Sequence, residues 1–365
     1  MKVLQIINSL GTGGAEKLIS ELVPNLIKKG NDVDILLLNG AETPLKKQLR
    51  EKGVNIYCIG LKNNIYNPLI IFKLKKYISK YDIVHVHLFP ALYWTAFAKL
   101  IFYLKVKLVY TEHSTTNRRR NLFIFKPFDR IAYKLYDSII CISKETKGNL
   151  FKYIGKDKKI KIINNGVNLI QINQAIPLDK RTLIPQNGYE YLIIMVAAFR
   201  KAKDQDTLIR AISILPDAYH LLLVGDGVRI GICKQLVSEL NINERVHFLG
   251  NRNDVPQLLK ASDIVVLSSH WEGFGLAAVE GMAAHKPVIA SNVQGLSEIV
   301  NGSGLLFDVG DFKMLSSNII SLITNKKLYN SISSKCFEKS KEFDIQEMID
   351  KYNNIYISLI NKNNA

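Results

Sequence analysis

Cysteine is scarce. The four present, Cys58, Cys141, Cys233 and Cys336, are widely separated and form no CxxC or Cys/His ligand spacing. That excludes a disulfide framework and a structural zinc site, and makes a reducing cytoplasm the expected setting. A long apolar run is also missing. The nearest, LFPALYWTAFAKLIFYL from Leu88 to Leu104, contains Pro90 and Lys99 and falls short of a bilayer span, so it reads as a buried or interfacial helix. The opening MKVLQIINSL is too short for a signal-peptide core and reads as a first β-strand. No dinucleotide GxGxxG and no GxxxxGK[ST] phosphate loop occurs, which weighs against NAD and ATP. No zinc-finger or RNP signature points to nucleic acid.

What is present describes a globular chain. Its 365 residues are 47% hydrophobic and 22% charged, enough for two domains that each bury a core. The formal net charge of +17 is unevenly placed. Residues 1–168 carry 29 Lys and Arg against 12 Asp and Glu, while residues 169–365 carry 20 of each. A basic field confined to one half implies an acidic partner for that half, such as a membrane surface or an anionic lipid carrier, with nucleic acid less favoured.

Short β-branched runs alternate with helical spacing along the chain. VLQIIN, VDILLLN, NIYCIG, IVHVHL, LVYTEH, SIICIS and KIINNG read as buried strands of a first series. YLIIMVAAF, YHLLLVGDG, VHFLG, IVVLSS, PVIAS and GLLFD read as a second. Such alternation predicts parallel sheets covered on both faces, hence an α/β chain of two doubly wound, Rossmann-like domains with ligands at the carboxyl ends of the strands, in a cleft between them. The expected domains are 1–168 and 189–344, with a polar, Pro-containing linker at 169–188. An amphipathic helix at 345–365 is expected to pack back across the first domain.

The most specific stretch is HWEGFGLAAVEGMAAHKPVIAS, His270–Ser291. The amides of Gly273, Phe274 and Gly275 can hold phosphate or sugar oxygens, and Glu272 can accept hydrogen bonds from hydroxyls. Glu280, one to two turns down the following helix, suits a ribose diol, where one carboxylate takes both hydroxyls. AAFRKAKDQDTLIRA brings Arg200 and Lys203 to a helix start, a clamp for a diphosphate if they are not simply solvated cations. Gly11, Gly13 and Gly14 in NSLGTGGAEKLIS close a strand–helix turn that either binds an anion or only turns the chain. His113 stands at the end of a strand, as a hydrogen-bonding group or as a structural histidine. His85 and His87 share a face of one strand but lack a third ligand. Asp204-Gln205-Asp206 and Asp32-Val33-Asp34 spell DxD, yet helix-cap and turn roles account for both, and no metal is expected there. Arg118, Arg119 and Arg120 precede an aromatic run in TTNRRRNLFIFKPFDR, a composition suited to an anionic interface or to a solvated loop.

Taken in order, GTGGAEK, the strand-end His113, NNGV, FRKAKDQDTLIRA, LLLVGDG, VHFLG, EGFGLAAVE, PVIAS and GLLFD resemble glycosyltransferase family 4, across nearly the whole chain. The resemblance implies a GT-B fold and a retaining glycosyltransferase that uses a nucleotide-sugar donor and needs no metal and no cofactor. It implies that Arg200 and Lys203 stabilise the diphosphate and that Glu272 with Gly273–Gly275 holds the sugar. Glu280 then binds the ribose, Gly13 and Gly14 lie by the distal phosphate, Gly225 belongs to the donor site, and His113 contacts the sugar. The chain departs from the usual pattern at three places. Ala198 stands where arginine is common, with Arg200 three residues before Lys203. Ala277 replaces a common proline, and His285 a common glycine. The expected acceptor is a glycan or lipid-linked glycan of bacterial surface-polysaccharide assembly. The expected location is the cytoplasm, peripheral to the inner face of the membrane. A GT-B epimerase, a phosphorylase and a catalytically idle binding relative are the alternatives.

Overall fold

The computed structural model describes residues 1–11, 13–60, 64–115, 118–184 and 190–361, the side chains of Arg118 and Asn121 excepted. All thirteen runs read as strands are strands. The first seven, β1 (Lys2–Ile7), β2 (Asp32–Asn39), β3 (Ile56–Gly60), β4 (Ile83–His87), β5 (Lys107–Glu112), β6 (Ser138–Cys141) and β7 (Ile160–Ile162), form one sheet in the order β3-β2-β1-β4-β5-β6-β7. The other six, β8 (Tyr191–Val196), β9 (Tyr219–Val224), β10 (Val246–Gly250), β11 (Ile264–Leu267), β12 (Val288–Ser291) and β13 (Leu305–Phe307), form a second in the order β10-β9-β8-β11-β12-β13. Neighbouring strands pair in parallel throughout. Helices cover these sheets, so a strand such as β4 or β9 is buried along its whole length and is largely apolar, histidines apart.

The helices that bear on function are α1 (Gly14–Lys28), α2 (Ala91–Ile101), α3 (Lys126–Leu135), α4 (Leu169–Gln174), α5 (Gln205–Ser213), α6 (Leu276–Ala283) and α7 (Ile345–Asn361). Within Leu88–Leu104 only α2 is helical, and most of its residues are buried. Among the described residues no helix is long and apolar enough to cross a membrane.

Two compact units result, Met1–Asn165 together with Gln346–Ala365, and Gly166–Ile345. The stretch expected to be a linker carries structure of the second unit instead. Its first residues form α4, which packs against α6, and Lys180 Nζ pairs with Asp263 at 2.7 Å. Residues 185–188 of that stretch lie outside the described residues. Gly166 is required where the chain passes Ile345, because a Cβ there would lie 2.5 Å from the Ile345 Cα.

α7 belongs to the first unit from Gln346 onward. Its buried residues Ile345, Met348, Ile349, Tyr352, Ile355, Tyr356 and Leu359 recur at helical spacing. Burial of that stripe, at about 1.5–3 kcal/mol per large side chain, holds the helix in place, and Asn31 Nδ2 donates to Asn353 Oδ1 at 3.0 Å.

Candidate functional site

In the second sheet the strand order reverses between β8 and β11, so the loops leaving those two strands flank a switch point, the place where open α/β sheets take ligands. Both loops carry residues singled out in the sequence, and the structure fastens them to each other. Ser268 Oγ donates to Asp204 O at 2.7 Å, and His270 N donates to Ala202 O at 2.8 Å. These bonds bring Lys203 to Glu272, and the ammonium donates to Glu272 Oε1. An ammonium has three N–H donors, so two remain for phosphate oxygens. Glu272 Oε2 has no partner among the described residues and is available to a hydroxyl.

Three residues after Glu272, Gly275 stands at φ +91° and is the N-cap of α6. A side chain is excluded there both by that left-handed backbone and by Leu296 Cδ2, which would lie 2.5 Å from a Cβ. No side chain caps α6, which leaves its first amides, at the positive end of the helix dipole, to a ligand. The Phe274 ring is buried against Phe343, with centroids 5.4 Å apart, so this residue can offer only its backbone to a ligand. Glu280 lies on α6, largely buried. Gly281 lets the helix approach the sheet, since a Cβ would meet the Val265 side chain at 2.8 Å.

Arg200 precedes Lys203 in the same loop, with Lys203 N donating to Arg200 O at 2.9 Å. The Arg200 side chain is exposed and makes no ion pair among the described residues. Gly225, at φ +132°, has a backbone reason to be glycine, because a Cβ would lie 2.2 Å from the Ala197 carbonyl oxygen. Three of the four carboxylates of the DxD pairs are engaged internally, and the fourth, Asp32, is exposed. Asp206 pairs with Arg229 at 2.5 Å, Asp204 accepts from Thr207 Oγ1 at 2.6 Å, and Asp34 accepts from Asn55 and Tyr81. His285 sits at φ +59°, a conformation that glycine adopts without strain, and its ring stacks on Phe337.

In the first unit, Gly13 and Gly14 open α1 at the carboxyl end of β1, while Thr12 lies outside the described residues. His113 follows β5, half-buried, with Nε2 2.9 Å from His87 Nδ1. Burial holds its pKa down to about 3, so the ring is neutral at physiological pH. Burial likewise keeps His85 and His87 well below the ordinary histidine range. Among the described residues no cluster of His, Cys, Asp or Glu has a metal-holding arrangement. Sequence reading missed Gln5, Tyr352 and Tyr356, which join these histidines from β1 and α7. A lone glutamine inside the apolar run VLQIIN was the available signal.

Arg119 and Arg120 require a correction. Neither is an interfacial cation, because both guanidinium groups are buried in ion pairs. Arg119 Nη2 lies 2.9 Å from Asp129 Oδ1, with its plane over Phe89, and Arg120 pairs with Glu112, which Tyr133 also contacts. Removing one partner would strand a buried carboxylate, at a cost of about 3–5 kcal/mol. Asp129 is 10 positions from Arg119 and Glu112 8 from Arg120, on other elements, so no helical or strand period ties them to the arginine run. The Arg118 side chain, with Thr116 and Asn117, lies outside the described residues. The aromatic run after these arginines is exposed: Phe123 is 89% accessible, and Leu122, Ile124, Phe128 and Ile131 are exposed as well.

Two family models match the chain in succession. Residues 12–171 match Glycosyltransferase Family 4, and residues 179–338 match Glycosyl transferases group 1. The chain is 29% identical to an Escherichia coli UDP-Gal:alpha-D-GlcNAc-diphosphoundecaprenol alpha-1,3-galactosyltransferase, covering 93% of this chain and 92% of that one. It is 26% identical to the Bacillus anthracis N-acetyl-alpha-D-glucosaminyl L-malate synthase, covering 95% and 94%. The crystal structure of Anabaena HepE in complex with UDP-glucose superposes with a TM-score of 0.85 at 25% identity, covering 98% of this chain and all of that one.

Proposed function

From the premise that this chain belongs to glycosyltransferase family 4 and is a GT-B glycosyltransferase, we propose that it moves a sugar from a nucleoside-diphosphate donor to a lipid-diphosphate-linked glycan, with retention at the anomeric carbon. The observation that carries this reading is the convergence of Lys203, Glu272 and the α6 N-terminus, with Glu280 further along the same helix, at the switch point of the second sheet. Lys203 and the α6 amides receive the diphosphate, Glu272 takes hydroxyls of the sugar, and Glu280 takes the ribose diol. The C1–O bond to the diphosphate breaks while the acceptor oxygen bonds C1 on the same face. The acceptor's proton passes to the departing diphosphate oxygen. Charge grows on that oxygen as the bond breaks, and fixed donors around it lower the barrier because they need not reorganise.

The acceptor assignment rests on the first unit. Leu122, Phe123, Ile124, Phe128 and Ile131 are exposed beside the exposed cations Arg130 and Lys134 of α3, in the half of the sequence that carries the basic surplus. Apolar side chains flanked by cations fit an anionic bilayer surface, where a lipid-linked acceptor resides. The E. coli relative named for a diphosphoundecaprenol substrate supports this choice. The B. anthracis relative, named for an L-malate product, favours a small acceptor as the competing possibility.

One experiment reads both parts. Nucleotide sugars and a polyprenyl-diphosphate glycan are supplied in vesicles with and without anionic lipid, and product configuration is read by NMR. The expected product keeps the donor's anomeric configuration, and its rate rises with the anionic lipid fraction. The double variant Phe123→Ser/Phe128→Ser loses that rise but keeps its nucleotide affinity. An inverted product contradicts the mechanism, and a rate indifferent to lipid charge contradicts the membrane face.

A further inference from the structure

The face shared by His85 and His87 continues into a buried hydrogen-bond chain. Gln5 on β1 is fully buried. Its Oε1 lies 2.9 Å from His87 Nε2, and its Nε2 donates to the Tyr356 hydroxyl at 3.2 Å. His87 Nδ1 is 2.9 Å from His113 Nε2. On the other branch the Tyr356 hydroxyl is 2.6 Å from His85 Nδ1, and His85 Nε2 is 2.7 Å from Thr111 Oγ1.

The amide of Gln5 gives this chain a direction. Its carbonyl oxygen can only accept, so His87 Nε2 carries the hydrogen. A neutral imidazole has one N–H, which makes His87 Nδ1 an acceptor and obliges His113 Nε2 to donate to it. The amide nitrogen can only donate, so on the other branch the Tyr356 hydroxyl donates to His85 Nδ1 and His85 Nε2 donates to Thr111. Burial keeps all three rings neutral. No partner of His113 Nδ1 occurs among the described residues.

We propose that Gln5 is a positioning residue which, through His87, holds His113 as its Nε2–H tautomer, so that Nδ1 is left to accept a hydrogen bond from a sugar hydroxyl. The proposal rests on the reading that this chain transfers a sugar. A nitrogen fixed as an acceptor selects a sugar with a hydroxyl at that position over one deoxygenated there. α7 takes part because Tyr356 engages the amide nitrogen, which keeps the carbonyl turned toward His87.

The test is spectroscopic and kinetic. Long-range 1H–15N correlation spectra of the full-length protein, labelled at histidine, show which nitrogen of each ring bears the hydrogen. The expected wild-type spectrum has His113 protonated at Nε2 and bare at Nδ1. Gln5→Leu removes the acceptor for His87, so His113 divides between tautomers and kcat/KM falls roughly tenfold, as for the loss of one neutral hydrogen bond. A wild-type His113 protonated at Nδ1 overturns the proposal, and this reading holds even if Gln5→Leu fails to fold. An unchanged tautomer in Gln5→Leu, with kcat/KM within twofold of wild type, overturns it as well. Should the wild-type and Gln5→Leu spectra come out as expected while His113→Ala keeps full activity, the tautomer lock stands and the sugar contact is what fails.

Discussion

Replacing Lys203 by alanine lowers turnover about 10²–10³-fold at saturating donor, the usual effect of deleting one preorganised contact to developing charge. The expectation follows from where the ammonium is held. Its loop is tied to the Ser268–His270 segment by backbone and hydroxyl bonds, and Glu272 fixes the nitrogen itself. A cation positioned in this way gains little from the ground state and more as the diphosphate takes up negative charge. The fold should survive the substitution. The pair is partly solvated, so its loss costs about 1 kcal/mol or less of stability, and a melting curve separates a damaged site from a damaged protein. Lys203→Ala turning over within twofold of wild type, with an unchanged melting temperature, contradicts the assignment.

The second large effect is on stability. His85 and His87 are fully buried, and burial keeps both well below the ordinary histidine pKa. They stay neutral in the folded chain, whereas in the unfolded chain they take up protons near pH 6.5. The unfolded state therefore binds more protons as pH falls, and stability present above that pH is lost below it. Between pH 7.5 and 5.5 each ring withdraws about 1.4 kcal/mol, or about 3 kcal/mol for the two. His113 acts in the same direction, but it is partly exposed and is left out of that sum. For a unit of this size the loss lowers the melting temperature of the first unit by roughly 5–10 °C. A melting temperature unchanged from pH 7.5 to 5.5 contradicts the neutral, buried assignment.

Much of this was legible in the sequence, for a physical reason. Strands of a parallel sheet under helices on both faces must be apolar nearly throughout, so IVHVH and YHLLLV declare themselves even with histidines inside. The glycine loop before α6 was equally plain, because Gly275 meets a backbone demand that few other residues satisfy. What escaped depends on contacts between residues on different elements. Arg119 and Arg120 look like surface cations until Asp129 and Glu112 are folded against them. The polar stretch after Asn168 looks like a linker until α4 is seen packed on α6. Gln5 and Tyr356 are 351 positions apart, and no local pattern joins them.

The central claim is that the second unit grips a nucleoside diphosphate through Lys203, the α6 N-terminus and Glu280. Thermal melting of the full chain with UDP, GDP and ADP, each set against its nucleoside and inorganic phosphate, tests that claim most directly. A ligand bound only by the folded state at a hundred times its Kd adds about 2.7 kcal/mol. The account predicts that at least one diphosphate raises the melting temperature accordingly, that its nucleoside and phosphate do not, and that Glu280→Ala abolishes the rise. No rise with any of the three, or one that persists undiminished in both Glu280→Ala and Lys203→Ala, contradicts it.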